Sequence, residues 1–218
     1  MTMNPLPPAR IDIARTSVPL STLSRGRYAN HSWQSSPTFN TTLDRVIRRQ
    51  SQIGSSTNRV ESAMRRVDQG SVSEYDNVAQ ARLWGGSTCS AASLTAVLRS
   101  RGINVRIADV MKAMPGALTP ELGLISRQGL VQAAEKFGLR AQDDVRTMDD
   151  LRRTTATGAP VMVDVRSARF PEGHWLVVKK VTAAAVEVVD SSGYRMTSIP
   201  ADQFLREWSG KGIRVNGV

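Results

Sequence analysis

Near residue 160 the hydrophobic period of this chain changes, and that change limits the folds open to it. Before it, apolar residues recur every three or four positions: Ala91, Leu94, Val97 and Leu98; Ile107, Val110, Met111 and Met114; Leu130, Ala133, Ala134 and Phe137. Such spacing puts one apolar stripe on each of three helices. Pro115-Gly116 stops the second, Ser126 is placed to cap the third, and Gly138 closes it. A short fourth helix starts at Thr147 and carries Met148 and Leu151. After the change come PVMVDV from Pro160, HWLVVKKV from His174, AVEVVD from Ala185 and YRMTSI from Tyr194. These runs are short, rich in β-branched residues and separated by turn residues, so they read as strands of a mostly antiparallel sheet. Pro200 starts a helix over ADQFLREW, and Ile213 to Val215 reads as an edge strand. Helices followed by strands define an α+β fold, expected over residues 75–218, in which two layers share one core.

Residues 1–74 read differently. Up to about Thr42 the chain carries NPLPPAR, many Ser and Thr residues and scattered Arg, without a sustained apolar period, and is expected to be an extended or disordered arm. His31 beside Trp33 reads as a solvated or loosely packed pair. Leu43, Val46, Ile47 and Gln50 trace one short basic helix, and Val60, Met64 and Val67 trace another that ends at Gly70. The formal charge of +10 suits an acidic partner. It is spread along the chain without a dense run or interleaved aromatics, so nucleic acid is not the expected partner. One cysteine and two histidines exclude a disulfide framework and multi-ligand zinc or iron–sulfur sites, and no cofactor or metal is expected. With no long apolar span and no secretory leader pattern, no transmembrane segment is expected, and residence in the cytoplasm is the default.

The only cysteine, Cys89, lies in LWGGSTCSAASLTAVLRSRG, between a Gly-Gly-Ser-Thr turn and the first helical stripe. It therefore falls in the first turn of a helix that Ser87 or Thr88 would cap and Gly102 would close. Free N–H groups and the positive end of the helix dipole favour an anion there. A thiol so placed drops from about 8.5 into the range of roughly 3.5 to 7.5 and becomes a thiolate nucleophile. A lone cysteine opening an apolar helix is also read as a small buried hydrophobe. His174 begins a strand after the turn FPEG, and Asp190 ends the next strand before SSG. A hairpin closing at Thr182 to Ala184 brings the two to the same end of neighbouring strands. There the carboxylate can hold one ring nitrogen and leave the other for a nucleophile. The plainer alternatives are a hydrogen-bonded strand histidine and a turn-capping aspartate.

GGSTCSAASLTAVLRSRG, GHWLVVKKV, VEVVDSSG and ADQFLREWSG together resemble the papain-like cysteine peptidases related to the bacteriocin-processing peptidases that trim double-glycine leaders. The resemblance covers roughly Gln80 to Gly210. It implies a papain-like fold, a peptide or protein substrate, Cys89 as nucleophile, His174 as general base and acid, and Asp190 as the orienting acid. Hydrolysis of a peptide or isopeptide bond through an acyl-enzyme is the expected chemistry. Acyl transfer or deamidation on the same triad, or a degenerate domain that only binds, are the alternatives. Two positions depart from the family. Cys-Ser-Ala-Ala stands where Cys-Gly-Pro-Ala is usual, and Leu83 stands six residues before the cysteine, where a Gln usually completes the oxyanion hole. Gln80 is the nearest replacement, and the Trp84 indole is another candidate donor.

Overall fold

The computed structural model describes residues 64–216. The arm up to Thr42, His31, the helix expected at Leu43 to Gln50 and the first part of the one ending at Gly70 lie outside them. The described helices are α1 (Val78–Trp84), α2 (Cys89–Ser100), α3 (Ile107–Lys112), α4 (Arg127–Lys136), α5 (Met148–Ala156) and α6 (Ala201–Glu207). The strands are β1 (Leu118–Thr119), β2 (Gly123–Leu124), β3 (Arg140–Val145), β4 (Val161–Ser167), β5 (Phe170–Val181), β6 (Ala185–Asp190), β7 (Ser198–Pro200) and β8 (Trp208–Asn216). The fold is α+β.

β1 and β2 form a small hairpin, and the other six strands form one antiparallel sheet in the order β3-β8-β4-β5-β6-β7. β8 lies between β3 and β4 and is an inner strand, which corrects the edge position expected from Ile213 to Val215. Gly212 permits this crowding, because a Cβ there would stand 2.8 Å from Val161 Cγ1 and 3.2 Å from Val145 Cβ. Two apolar cores, one per sheet face, replace the single core expected. On one face Met162, Trp175, Val177 and Ile213 meet α2 and α4. On the other Val163, Leu176 and Val178 meet Leu151 of α5 and Phe204 of α6. The cause is legible in β4, whose Val161, Met162 and Val163 are all fully buried, as in a strand covered on both sides.

Several local expectations hold. Ser126 caps α4 by accepting from Gly129 N, and Thr147 caps α5 by accepting from Asp150 N. Gly102 and Gly138 close α2 and α4 with φ of +81°. Two do not hold. Residues 64–70 form no helix and end in a turn at Gln69 and Gly70, and Met64 and Val67 are buried in the core with α2. The strand expected from Tyr194 shrinks to Ser198–Pro200, because the chain before it is drawn into a loop by hydrogen bonds described below.

Candidate active site

Cys89 is the first residue of α2. Thr88 occupies the N-cap position, but its side chain makes no capping bond. Its hydroxyl instead pairs with the Tyr75 hydroxyl at 2.7 Å. No side chain therefore caps the first turn, and its N–H groups and the helix dipole stay available to a negative charge beside the sulfur. Cys89 is half-buried, packs at the border of the apolar core and lines a cleft of about 700 Å³. Opposite stands the β1–β2 hairpin, with Leu122 76% exposed at its tip. At Gly123, φ is +68° and a Cβ would come within 2.9 Å of Ser87 O, so only glycine lets the hairpin approach the turn before the cysteine.

α2 is locked to β5 by Ser93 Oγ, which donates to Trp175 O at 3.1 Å, one residue past His174. The β5–β6 hairpin closes at Thr182, whose N–H donates to Ala185 O, and the register pairs Leu176 with Asp190. His174 lies two residues farther along β5, diagonal to Asp190, and its Nε2 stands 2.8 Å from Asp190 Oδ1. Both side chains are almost wholly buried.

The carboxylate is the better supported of the two. Besides the imidazole, Asp190 Oδ1 accepts from Ser192 N at 2.8 Å, and Oδ2 accepts from Ser192 Oγ at 2.8 Å and Met196 N at 3.0 Å. Arg195, at φ +54°, bends the loop that delivers the Met196 N–H. Burial alone would raise the Asp190 pKa, but the hydrogen bonds from His174, Ser192 and Met196 pull it from 3.8 to about 2. Burial would likewise lower that of His174, yet hydrogen bonds to Asp190 and Cys89, together with their charges, lift it from 6.5 to about 9. The carboxylate engages Nε2 and leaves Nδ1 as the remaining ring nitrogen. Phe170, four residues upstream on β5, stacks on the ring with centroids 4.2 Å apart and planes 17° apart.

The structure brings Cys89, His174 and Asp190 together and leaves Gln80 out. Gln80 sits in the first turn of α1, where its N–H donates to Asn77 Oδ1 and its Oε1 accepts from Asp76 N at 2.7 Å. It caps a helix and does not line the cleft. Trp84 packs against the apolar core, and Leu83 is 60% exposed. Sequence reasoning missed Ser192, although Asp-Ser-Ser after a strand is the pattern of a side chain that bonds the backbone two residues on. It also missed Phe170, for which nothing but an aromatic on the histidine strand gave a signal. Asp164 and Arg166 complete the cleft wall, with burial raising the Asp164 pKa against the pull of Arg166. Among the described residues no cluster of His, Cys, Asp and Glu could hold a metal ion, and no helix is long and apolar enough to cross a membrane.

A cysteine heading a helix that is packed on an antiparallel sheet, with a histidine and an acid on adjacent strands, is the arrangement of a papain-like peptidase. Residues 81–217, more than half of the chain, match the model of the Peptidase C39 family, and the chain belongs to that family of cysteine peptidases. Among solved structures it is similar to the peptidase domain of ComA from Streptococcus, a bifunctional ABC transporter involved in quorum sensing. That likeness has 24% identity and a TM-score of 0.52, over 61% of this chain and 93% of that one. It is also similar to a protein of Bacillus anthracis described as a C39-like peptidase, with 15% identity and a TM-score of 0.53, over 72% of this chain and 96% of that one. At these identities the likeness is one of fold. No curated protein matches the chain.

Proposed function

We propose that this protein cleaves a peptide or isopeptide bond through a Cys89–His174–Asp190 triad. The observation that supports the reading is the buried imidazole, held at 2.8 Å by an ionised Asp190 and raised to about 9 by its hydrogen bonds to Asp190 and Cys89. A histidine so charged stabilises a thiolate at Cys89. The thiolate adds to the scissile carbonyl, and the uncapped N–H groups of α2 face the oxyanion side. As the carbon–nitrogen bond breaks, His174 gives its proton to the leaving amine. Water, deprotonated by the now neutral His174, then attacks the thioester and releases the acid and the thiolate. Asp190 stays ionised throughout and holds the ring orientation. The substrate is a peptide lying in the cleft between the turn before Cys89 and the β1–β2 hairpin.

The test is alkylation of Cys89 by iodoacetamide across pH. A thiolate–imidazolium pair gives labelling that persists well below the free-thiol value of about 8.5, and a profile centred on that value overturns the reading.

One observation favours a second reading, a domain that binds a peptide or an acidic partner without cutting it. Six residues before Cys89, where the family resemblance calls for an oxyanion amide, stands an exposed Leu83 outside the cleft, and Gln80 is committed to capping α1. On this reading Cys89→Ala keeps the biological effect. Loss of the effect with folding and binding intact removes it.

A further inference from the structure

The segment 64–75 lies outside the family-matched residues 81–217, yet it bridges the two turns that flank the proposed triad. Gln69 makes the bridge with its whole side chain. Its Nε2 donates to Gly85 O at 3.1 Å, in the turn that leads into Cys89, and its Oε1 accepts from Ser191 Oγ at 2.7 Å, directly after Asp190. Its backbone N–H donates to Ser191 O at 3.2 Å, and its carbonyl accepts from the Tyr75 hydroxyl, which also pairs with Thr88 next to Cys89. Arg66 reinforces the acid side through Nη2, which reaches Ser192 O at 2.7 Å and Ser191 O at 3.2 Å. Ser192 is the residue whose N–H and hydroxyl hold Asp190.

Gly85 and Ser191 are far apart in sequence and belong to different layers of the fold. Ser93 ties α2 to β5 from within the family region, but the Gly85–Gly86 turn and the Ser191–Ser192 turn are loops, free to drift relative to one another unless something spans them. A small drift is enough to loosen a hydrogen-bonded sulfur–imidazole pair. We propose that Gln69 is a positioning residue, which holds the turn before Cys89 and the turn after Asp190 in one frame so that thiolate and imidazolium stay paired. The inference rests on the triad reading above and adds to it a part supplied by this chain upstream of the family domain. Gln69 touches neither substrate nor reacting atoms. It acts through Gly85 and Ser191.

The experiment compares pH profiles of Cys89 alkylation for the parent and for Gln69→Met, which keeps the side-chain length and removes both hydrogen bonds. In Gln69→Met the midpoint moves up by about one unit relative to the parent, so labelling at pH values below the parent's midpoint falls by up to about tenfold, while the rate near pH 10, where any thiol is ionised, stays within about twofold. Ser191→Ala, which removes only the hydroxyl given to Gln69 Oε1, shifts the midpoint the same way by less and carries the test where Gln69→Met fails to fold. The inference is overturned if both folded variants keep the parent profile, even with a lowered melting temperature, because a merely structural strap changes stability without moving the midpoint. It is overturned together with the triad if the parent itself titrates near 8.5, and that result is read from the parent alone.

Discussion

Asp190 ends β6 and Cys89 begins α2, and the surroundings of the two differ. Asp190 accepts four hydrogen bonds, from His174, from Ser192 twice and from Met196, and its partner ring is stacked on Phe170. The turn before Cys89 contains two glycines, its N-cap hydroxyl is turned to Tyr75, and the residue six places upstream is an exposed leucine. The acid–base half is held in place before any substrate arrives, whereas the half that must meet a developing oxyanion offers only backbone N–H groups. On the proposed mechanism such a site has the weaker grip on the transition state, where one missing oxyanion donor is worth about 10²–10³ in turnover.

The contrast can be broken or sharpened by substitution. Cys89→Ala removes the nucleophile and lowers cleavage by on the order of 10⁶, with no thioester detectable by mass spectrometry. Asp190→Asn lowers turnover by about 10⁴, because the imidazole loses both its charge partner and its fixed tautomer. The same variant reads the linkage to pH. The His174 pKa is raised from 6.5 to about 9, so its stabilisation is complete below pH 6.5 and is lost as pH rises through 9. The Asp190 pKa is lowered from 3.8 to about 2, so its stabilisation is present above pH 3.8 and is lost as pH falls through 2. The difference in melting temperature between parent and Asp190→Asn is therefore widest between about pH 3.8 and 6.5 and narrows as pH rises from 6.5 to 9. Phe170→Leu removes the stacked ring, worth about 0.5–1.5 kcal/mol, and lowers turnover roughly three- to tenfold with a downward shift of the histidine pKa in the pH profile. Leu83→Gln changes turnover by less than about twofold, since Leu83 does not line the cleft. A gain of tenfold or more there would erase the contrast.

The candidate triad was legible because each member carries a strong local mark: a cysteine after a Gly-rich turn, a histidine at a strand, an aspartate before a turn. The inner strands β4, β5 and β6 were legible because their β-branched runs are nearly continuous. β3 was not, since RAQDDV buries only Ala141 and Val145 and shows no alternation that separates it from a loop. The inner place of β8 depends on what a missing Cβ at Gly212 allows, which is a property of its neighbours. Val60, Met64 and Val67 keep helical spacing, but at the end of the segment the Gln69 N–H donates to Ser191 O and the Gly70 N–H to Asp68 Oδ1 rather than to a preceding turn of helix. Gln80 was drawn toward the site by its sequence distance alone, and Asn77 and Asp76 hold it elsewhere.

The inner position of β8 also orders events during synthesis. By the time Asp190 leaves the ribosome, all three candidate residues exist, yet β3 and β4 still lack the ribbon that zips between them. Such a nascent chain carries Cys89 on an unfinished sheet, and the sheet closes only when residues 208–216 insert between β3 and β4. Timing is thereby written into strand order, with the candidate residues made before the frame that holds them is complete.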